Sequence, residues 1–159
     1  MRFAAYIAIA LLFFSSCNDD PVFPETPAIE FVSISPEEPV QFTVDEMQLV
    51  IRYQDGDGDI GYLEGSGAPA TNLFLKDVRE VIPHDSLRML SFSIPNLTPD
   101  TRKPSIQGEI QVTLTTPPHH TFIDPNSSEE PLVFEVWLTD RKGNTSNVIR
   151  TDPIFVQPQ

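Results

Sequence analysis

From residue 29 onward the chain repeats one pattern: short runs of alternating apolar and polar residues, separated by clusters of turn formers. The clearest run is 106–115. Ile106, Gly108, Ile110, Val112 and Leu114 fall on one face, and Gln107, Glu109, Gln111, Thr113 and Thr115 on the other. A period of two over that length predicts a strand with one buried and one wet face. Residues 47–53 repeat the logic, with Met47, Leu49, Ile51 and Tyr53 set against Gln48 and Arg52. In 132–139, Phe134, Val136 and Leu138 point inward while Glu135, Trp137 and Thr139 point outward. Weaker candidates lie at 29–34, 40–44, 72–78, 87–94, 147–151 and 154–156, the last two split by Pro153, which suggests an edge or a bulge.

No helical period intervenes, and 16 prolines among 159 residues oppose long helices, since each fixes φ and removes a backbone donor. The expected fold is all-β: a single antiparallel β-sandwich of immunoglobulin or fibronectin-III type, with about seven to nine short strands. The disulfide and strand-C tryptophan of antibody domains are absent, so the likeness is one of architecture. Ten basic and 23 acidic residues give a formal charge of −13. So negative a surface repels nucleic acid and anionic headgroups and suits cations.

The N-terminus reads differently. Met1-Arg2 gives a minimal positive start, residues 3–14 are an unbroken apolar run, and Ser15-Ser16-Cys17 follows. The run rises only about 18 Å as a helix, short of a bilayer core near 30 Å. It fits the apolar core of a signal peptide, with a short anchor helix and a free cysteine as the alternative. Phe14-Ser15-Ser16-Cys17 resembles the bacterial lipoprotein lipobox, although Phe14 stands where an aliphatic residue is usual. That resemblance implies acylation of Cys17, and two or three acyl chains hold a protein stably on a membrane. Asn18-Asp19-Asp20 is similar to the acidic signal that sends lipoproteins of Bacteroidota to the outer cell surface; a solvated acidic linker is the other reading. The expected organisation is a signal peptide at 1–16, a lipidated cysteine and tether at 17–28, and the sandwich at 29–159. Pro21, Pro24 and Pro27 favour an extended tether of roughly 30 Å.

One stretch carries candidate chemistry. Asp55, Asp57 and Asp59 alternate with Gly56 and Gly58 directly after the strand at 47–53. Carboxylates this close repel unless a cation or solvent intervenes, and the glycines let the backbone curl so that all three face one point. Calcium takes six to eight oxygens in irregular geometry. The run matches an EF-hand loop at its first, third and fifth positions and then fails. Ile60 stands where a glycine is required and Ser66 where the bidentate glutamate should be. In a sandwich, however, this loop lies at the same end as the hairpin Asp140-Arg141-Lys142-Gly143-Asn144. Asp140 and Asn144 could then complete a calcium site. The alternative is an acidic solvated turn beside a hairpin whose Asp140 caps its own backbone.

Residues 51–61 and 138–147, the second with a D-x-x-G-N hairpin, resemble parts of immunoglobulin-like and cadherin-like domains in surface lipoproteins of Bacteroidota. The resemblance implies a location and a fold, and little chemistry. His84 and His119-His120 sit in loops without the ligands zinc needs. No G-x-S-x-G elbow or phosphate-cradling glycine loop is present. Asp85-Ser86-Leu87 is similar to the O-glycosylation acceptor of Bacteroidota. Trp137, on an outer face, is either covered by a neighbouring strand or a platform for a sugar ring.

These readings point to a non-catalytic, lipid-anchored module of the outer membrane, facing the cell surface. Its expected partners are the membrane, through the lipid, and an envelope protein or glycan, with no nucleic acid. The alternatives are a glycan-binding accessory lipoprotein of a nutrient-uptake system, with Trp137, Tyr62 or Phe122 exposed, and a glycan-processing enzyme.

Overall fold

The computed structural model describes residues 22–41, 45–63, 65, 71–78, 89–98, 105–115 and 126–157. Within them the chain forms ten strands and no helix. They are β1 (Ala28–Ser35), β2 (Val40–Gln41), β3 (Glu46–Asp55), β4 (Leu73–Asp77), β5 (Met89–Phe92), β6 (Ile106–Thr115), β7 (Glu130–Leu132), β8 (Phe134–Leu138), β9 (Ile149–Arg150) and β10 (Ile154–Gln157).

β3 and β6 form the spine of one sheet. They pair antiparallel, with Met47 opposite Leu114, Leu49 opposite Val112, Ile51 opposite Ile110 and Tyr53 opposite Gly108. These are the inward positions of the two strongest alternating runs, so pattern and register agree. A slip by one residue would turn the whole apolar row to water. Gly108 leaves room for the Tyr53 ring, because a Cβ there would lie 2.9 Å from the Tyr53 hydroxyl and push that side chain aside. β1 pairs with the other side of β3, giving the order β1-β3-β6. A second sheet runs β5-β4-β8-β9 and a smaller one β2-β10-β7. All pairings are antiparallel except β2 with β10.

The inner faces close over one core. Met47, Leu49 and Ile51 of β3 and Val112 and Leu114 of β6 share a buried cluster with Leu73 and Leu75 of β4. Phe134, Val136 and Leu138 of β8 belong to the same cluster, as do Val40, Leu132, Ile154 and Val156 of the small sheet. Each fully buried side chain of this kind contributes about 1.5–3 kcal/mol over leaving it in water. The fold is the sandwich-like all-β architecture that the alternation predicts.

One expected strand divides. Residues 132–139 read as a single run, yet β7 ends at Leu132 on β10 and β8 begins at Phe134 on β4. Leu132 and Phe134 are both buried, so the inward parity passes unbroken through the point where the chain changes sheets. Part of the expected strand at 40–44, and the His84, Asp85-Ser86, His119-His120 and Phe122 readings, fall outside the described residues. So do residues 1–21 with Cys17. No helix among the described residues is long and apolar enough to cross a membrane.

Candidate metal centre

The inward row of β3 does not stop at Tyr53. Alternation carries it one step further to Asp55, whose carboxylate is therefore completely buried (0% exposed). The chain then turns through residues 56–61, burying Asp59 (8% exposed) and half-burying Asp57. Asp55, Asp57 and Asp59 each offer a carboxylate oxygen, and these atoms lie within 4.8 Å of one another. The Oδ1 atom of each of the three is buried and has no hydrogen-bond partner. A buried acceptor left unpaired costs about 1–3 kcal/mol, and more when charged. Three at one point make a concentrated debt that a cation would relieve. An oxygen-only donor set of this kind can hold a metal ion, and it fits a hard one.

Fasteners on every side hold the loop in shape. Asp59 N donates to Asp55 Oδ2 at 2.9 Å, closing the turn on itself. Gly58 (φ 69°) and Gly61 (φ 94°) take left-handed conformations that other residues resist. Thr98 Oγ1 donates to the Gly58 carbonyl, Ser105 Oγ to that of Gly56 at 3.3 Å, and Leu97 N to that of Ile60 at 3.3 Å. Tyr62 N donates to the Ile94 carbonyl at 3.0 Å, and Asn72 grips the same residue through Ile94 N at 2.7 Å. The Ile60 side chain is sunk in the core. The carbonyls of Gly56, Gly58 and Ile60 are therefore engaged by protein donors, and the buried unpaired side-chain oxygens belong to the aspartates.

The β8–β9 hairpin meets this loop, as a shared pole of the sandwich requires. Arg141 N donates to the Asp59 carbonyl at 3.2 Å. The Arg141 guanidinium donates to the carbonyl of Gly61 at 2.9 Å and to Asn96 Oδ1 at 3.1 Å. Lys142 Nζ lies 2.5 Å from Asp57 Oδ2. Asp140 is itself buried (7% exposed) because the inward row Phe134, Val136, Leu138 runs on to it, just as in β3.

Asp140 and Asn144 stand at this pole but are engaged with each other. Asn144 donates its backbone N to Asp140 Oδ1 and its Nδ2 to Oδ2, both at 2.7 Å. Gly143 (φ 90°) makes the turn between them. Asp140 thus caps its own hairpin and enters the site as a nearby charge. The converging set among the described residues is Asp55, Asp57 and Asp59.

The electrostatics are those of crowded carboxylates. Burial, then the charges of Asp140, Asp57 and Asp55, pushes the Asp59 carboxyl up to about 6, with Arg141 opposing. Burial also raises Asp55, against the hydrogen bond from Asp59 N. For Asp57, burial works upward, but the hydrogen bond and charge of Lys142 outweigh it and hold the group below the usual carboxylate range. Lys142 is raised in return, chiefly by its hydrogen bond to Asp57.

Arg141, Lys142 and the clamp at Ile94–Thr98 did not stand out in the sequence. The signal available was two adjacent cations directly after an inward-facing aspartate, in a chain with only ten basic residues. Trp137 lies on the outer face of β8, half-buried, stacked on Phe74 of β4 at 5.6 Å between centroids and 18° between planes. A neighbouring strand thus covers one side of it.

No family model, curated protein or solved structure shows significant similarity to the chain, so the functional argument rests on the chain's own residues.

Proposed function

We propose that the chain is a non-catalytic, lipid-anchored module of the bacterial cell envelope, stiffened at one pole by calcium and used for binding or spacing. The observation that carries the cation is the trio of buried, unpartnered Oδ1 atoms on Asp55, Asp57 and Asp59. Buried carboxylates at such short range resist ionisation unless positive charge joins them. Lys142 reaches only one oxygen of one of them. Calcium accepts irregular oxygen shells and fills vacant positions with water, whereas magnesium demands a near-ideal octahedron. Three protein donors with water completing the shell argue for the weak end of the calcium range, about 10⁻⁴–10⁻³ M.

The location rests on the resemblance of Phe14-Ser15-Ser16-Cys17 to a lipobox, with the acidic residues after Cys17 favouring the outer surface. Calorimetric titration of the full chain tests the site. Calcium is expected to give a saturable heat in the millimolar range, magnesium a weaker one, and Asp57→Ala none. Absence of heat from the unaltered chain ends the calcium reading. Cys17→Ser, expected to abolish acylation seen by mass spectrometry, tests the anchor separately.

A second reading, a glycan-binding accessory lipoprotein, is favoured by the stacked Phe74–Trp137 pair on the outer face of the β4–β8 sheet. It requires tryptophan fluorescence that responds to soluble oligosaccharides; silence across a panel of them removes it.

A further inference from the structure

Residues 22–27, expected to be free tether, lie against the acidic pole. Gly56 N donates to the Pro24 carbonyl at 2.8 Å. A Cβ on Gly56 would stand 2.1 Å from the Phe23 carbonyl oxygen and 2.6 Å from that of Pro24, so only glycine admits the segment. Lys142 Nζ, the partner of Asp57, also reaches Glu25 Oε2 at 3.4 Å. Pro27 is buried and Phe23 half-buried, while Val22 is exposed. The tether therefore docks on Gly56, between the two deepest carboxylates of the candidate site, and Lys142 links it to Asp57.

We infer that cation occupancy of the aspartate site sets the docking of the chain's own tether, so that calcium fixes the stance of the domain on its membrane anchor. The inference rests on the calcium reading above and adds what the ion controls. Without the ion, Glu25 approaches a cluster of like charges and shares one lysine with Asp57. A divalent ion between the aspartates cancels that repulsion and frees Lys142 for Glu25. It also fixes the loop whose Gly56 N holds Pro24. Linkage makes the effect reciprocal: whatever factor calcium adds to docking, docking adds to calcium affinity. With residues 22–27 fastened, the chain from Cys17 to Val22 can reach no more than about 18 Å. The acidic pole then faces the bilayer closely, where a free tether would let the domain swing.

The probe is a glutamate-specific protease acting on the full chain in detergent. Cutting after Glu25 is followed by mass spectrometry and normalised to a peptide of residues 20–30. Calcium is expected to slow that cut tenfold or more in the unaltered chain. Gly56→Ala keeps every carboxylate; it should still give calcium heat, weaker in affinity by the same tenfold or more, and lose the protection. Lys142→Ala, an exposed substitution, should lower the protection without abolishing the heat, and it serves if Gly56→Ala fails to fold. Heat with an unchanged cutting rate overturns the inference and leaves the site standing. So does full calcium-dependent protection in both variants. No heat at all removes the site, and the inference with it.

Discussion

The ends of β3 and β8 pose the same physical problem and solve it differently. In both strands the inward row runs one step past its last hydrophobic residue and buries an aspartate, Asp55 after Tyr53 and Asp140 after Leu138. Asp140 is satisfied from within four residues, because Asn144 brings two donors to its two oxygens. Asp55 receives the Asp59 backbone N on one oxygen and nothing on the other, and two more carboxylates lie within 4.8 Å of it. A buried acid with its own donors is a turn cap. A buried acid surrounded by acids is a place held for something positive.

The sharpest way to break the comparison is the same conservative substitution at both ends. Asp140→Asn takes away the charge and one of the two acceptors to which Asn144 donates. It is expected to cost about 2 kcal/mol by urea denaturation, with or without calcium. Asp55→Asn keeps an acceptor for Asp59 N and removes a buried charge among like charges. It should leave stability in EDTA unchanged or higher, and abolish any gain from calcium. Equal losses at the two positions would mean that the ends are alike after all.

Next in size is the ion itself. Saturating calcium at about a hundred times its dissociation constant adds about 2.7 kcal/mol to the unaltered chain. For a domain of this size that is a rise of several degrees or more in Tm. Asp59→Asn should show none of it in the same scanning experiment.

Much of this was legible in the alternation. The strands at 47–53 and 106–115 declared themselves because every inward residue was apolar, and the register sets those inward rows opposite each other. The aspartate loop was legible too, from glycine spacing alone. What alternation could not carry was choice of partner. The passage from Leu132 to Phe134 keeps its parity while changing sheets, and parity says nothing about which strand lies alongside. The division of labour at the pole stood in the sequence as one of two readings, the other being an Asp140 that completes the cation's shell. Asp140 and Asn144 satisfy each other through a turn geometry that only Gly143 hints at. The docked tether is held mainly by a backbone contact, whose one mark in the sequence is the glycine at 56. The inward parity of Asp55 and Asp140, in contrast, stood in the sequence and could have been read.

The titration of Asp59 gives a smaller effect with a definite sign. Its folded value of about 6 lies above the ordinary 3.8, so the group favours the folded state fully below that ordinary value. The contribution fades as pH rises through 6. Asp55 is shifted in the same direction, whereas Asp57 is lowered and titrates beneath this window. In EDTA the domain should therefore gain about 1 kcal/mol between pH 7.5 and pH 5. Calcium should help most at pH 7.5 and least at pH 5, where protons compete for the same oxygens. Asp59→Asn flattens the EDTA profile; a flat profile in the unaltered chain would mean that these carboxylates are solvated, and one that rises with pH that partners hold them ionised.

The smallest effect belongs to the other kind of charge on this molecule. On the wet face of β3 and β6, Arg52 lies 3.0 Å from Glu109 and 3.7 Å from Glu30, with all three side chains about half exposed or more. Water screens such a pair, and holding long side chains in place offsets much of the attraction. Arg52→Ala is expected to change stability by about 0.5 kcal/mol or less, with the difference fading in added salt and indifferent to calcium. The charges there are paired and the energy is still small, because solvent already serves these exposed oxygens. A loss of several kcal/mol from Arg52→Ala would imply that carboxylates on this surface depend on protein partners. The unpaired oxygens of Asp55, Asp57 and Asp59 would then no longer be special.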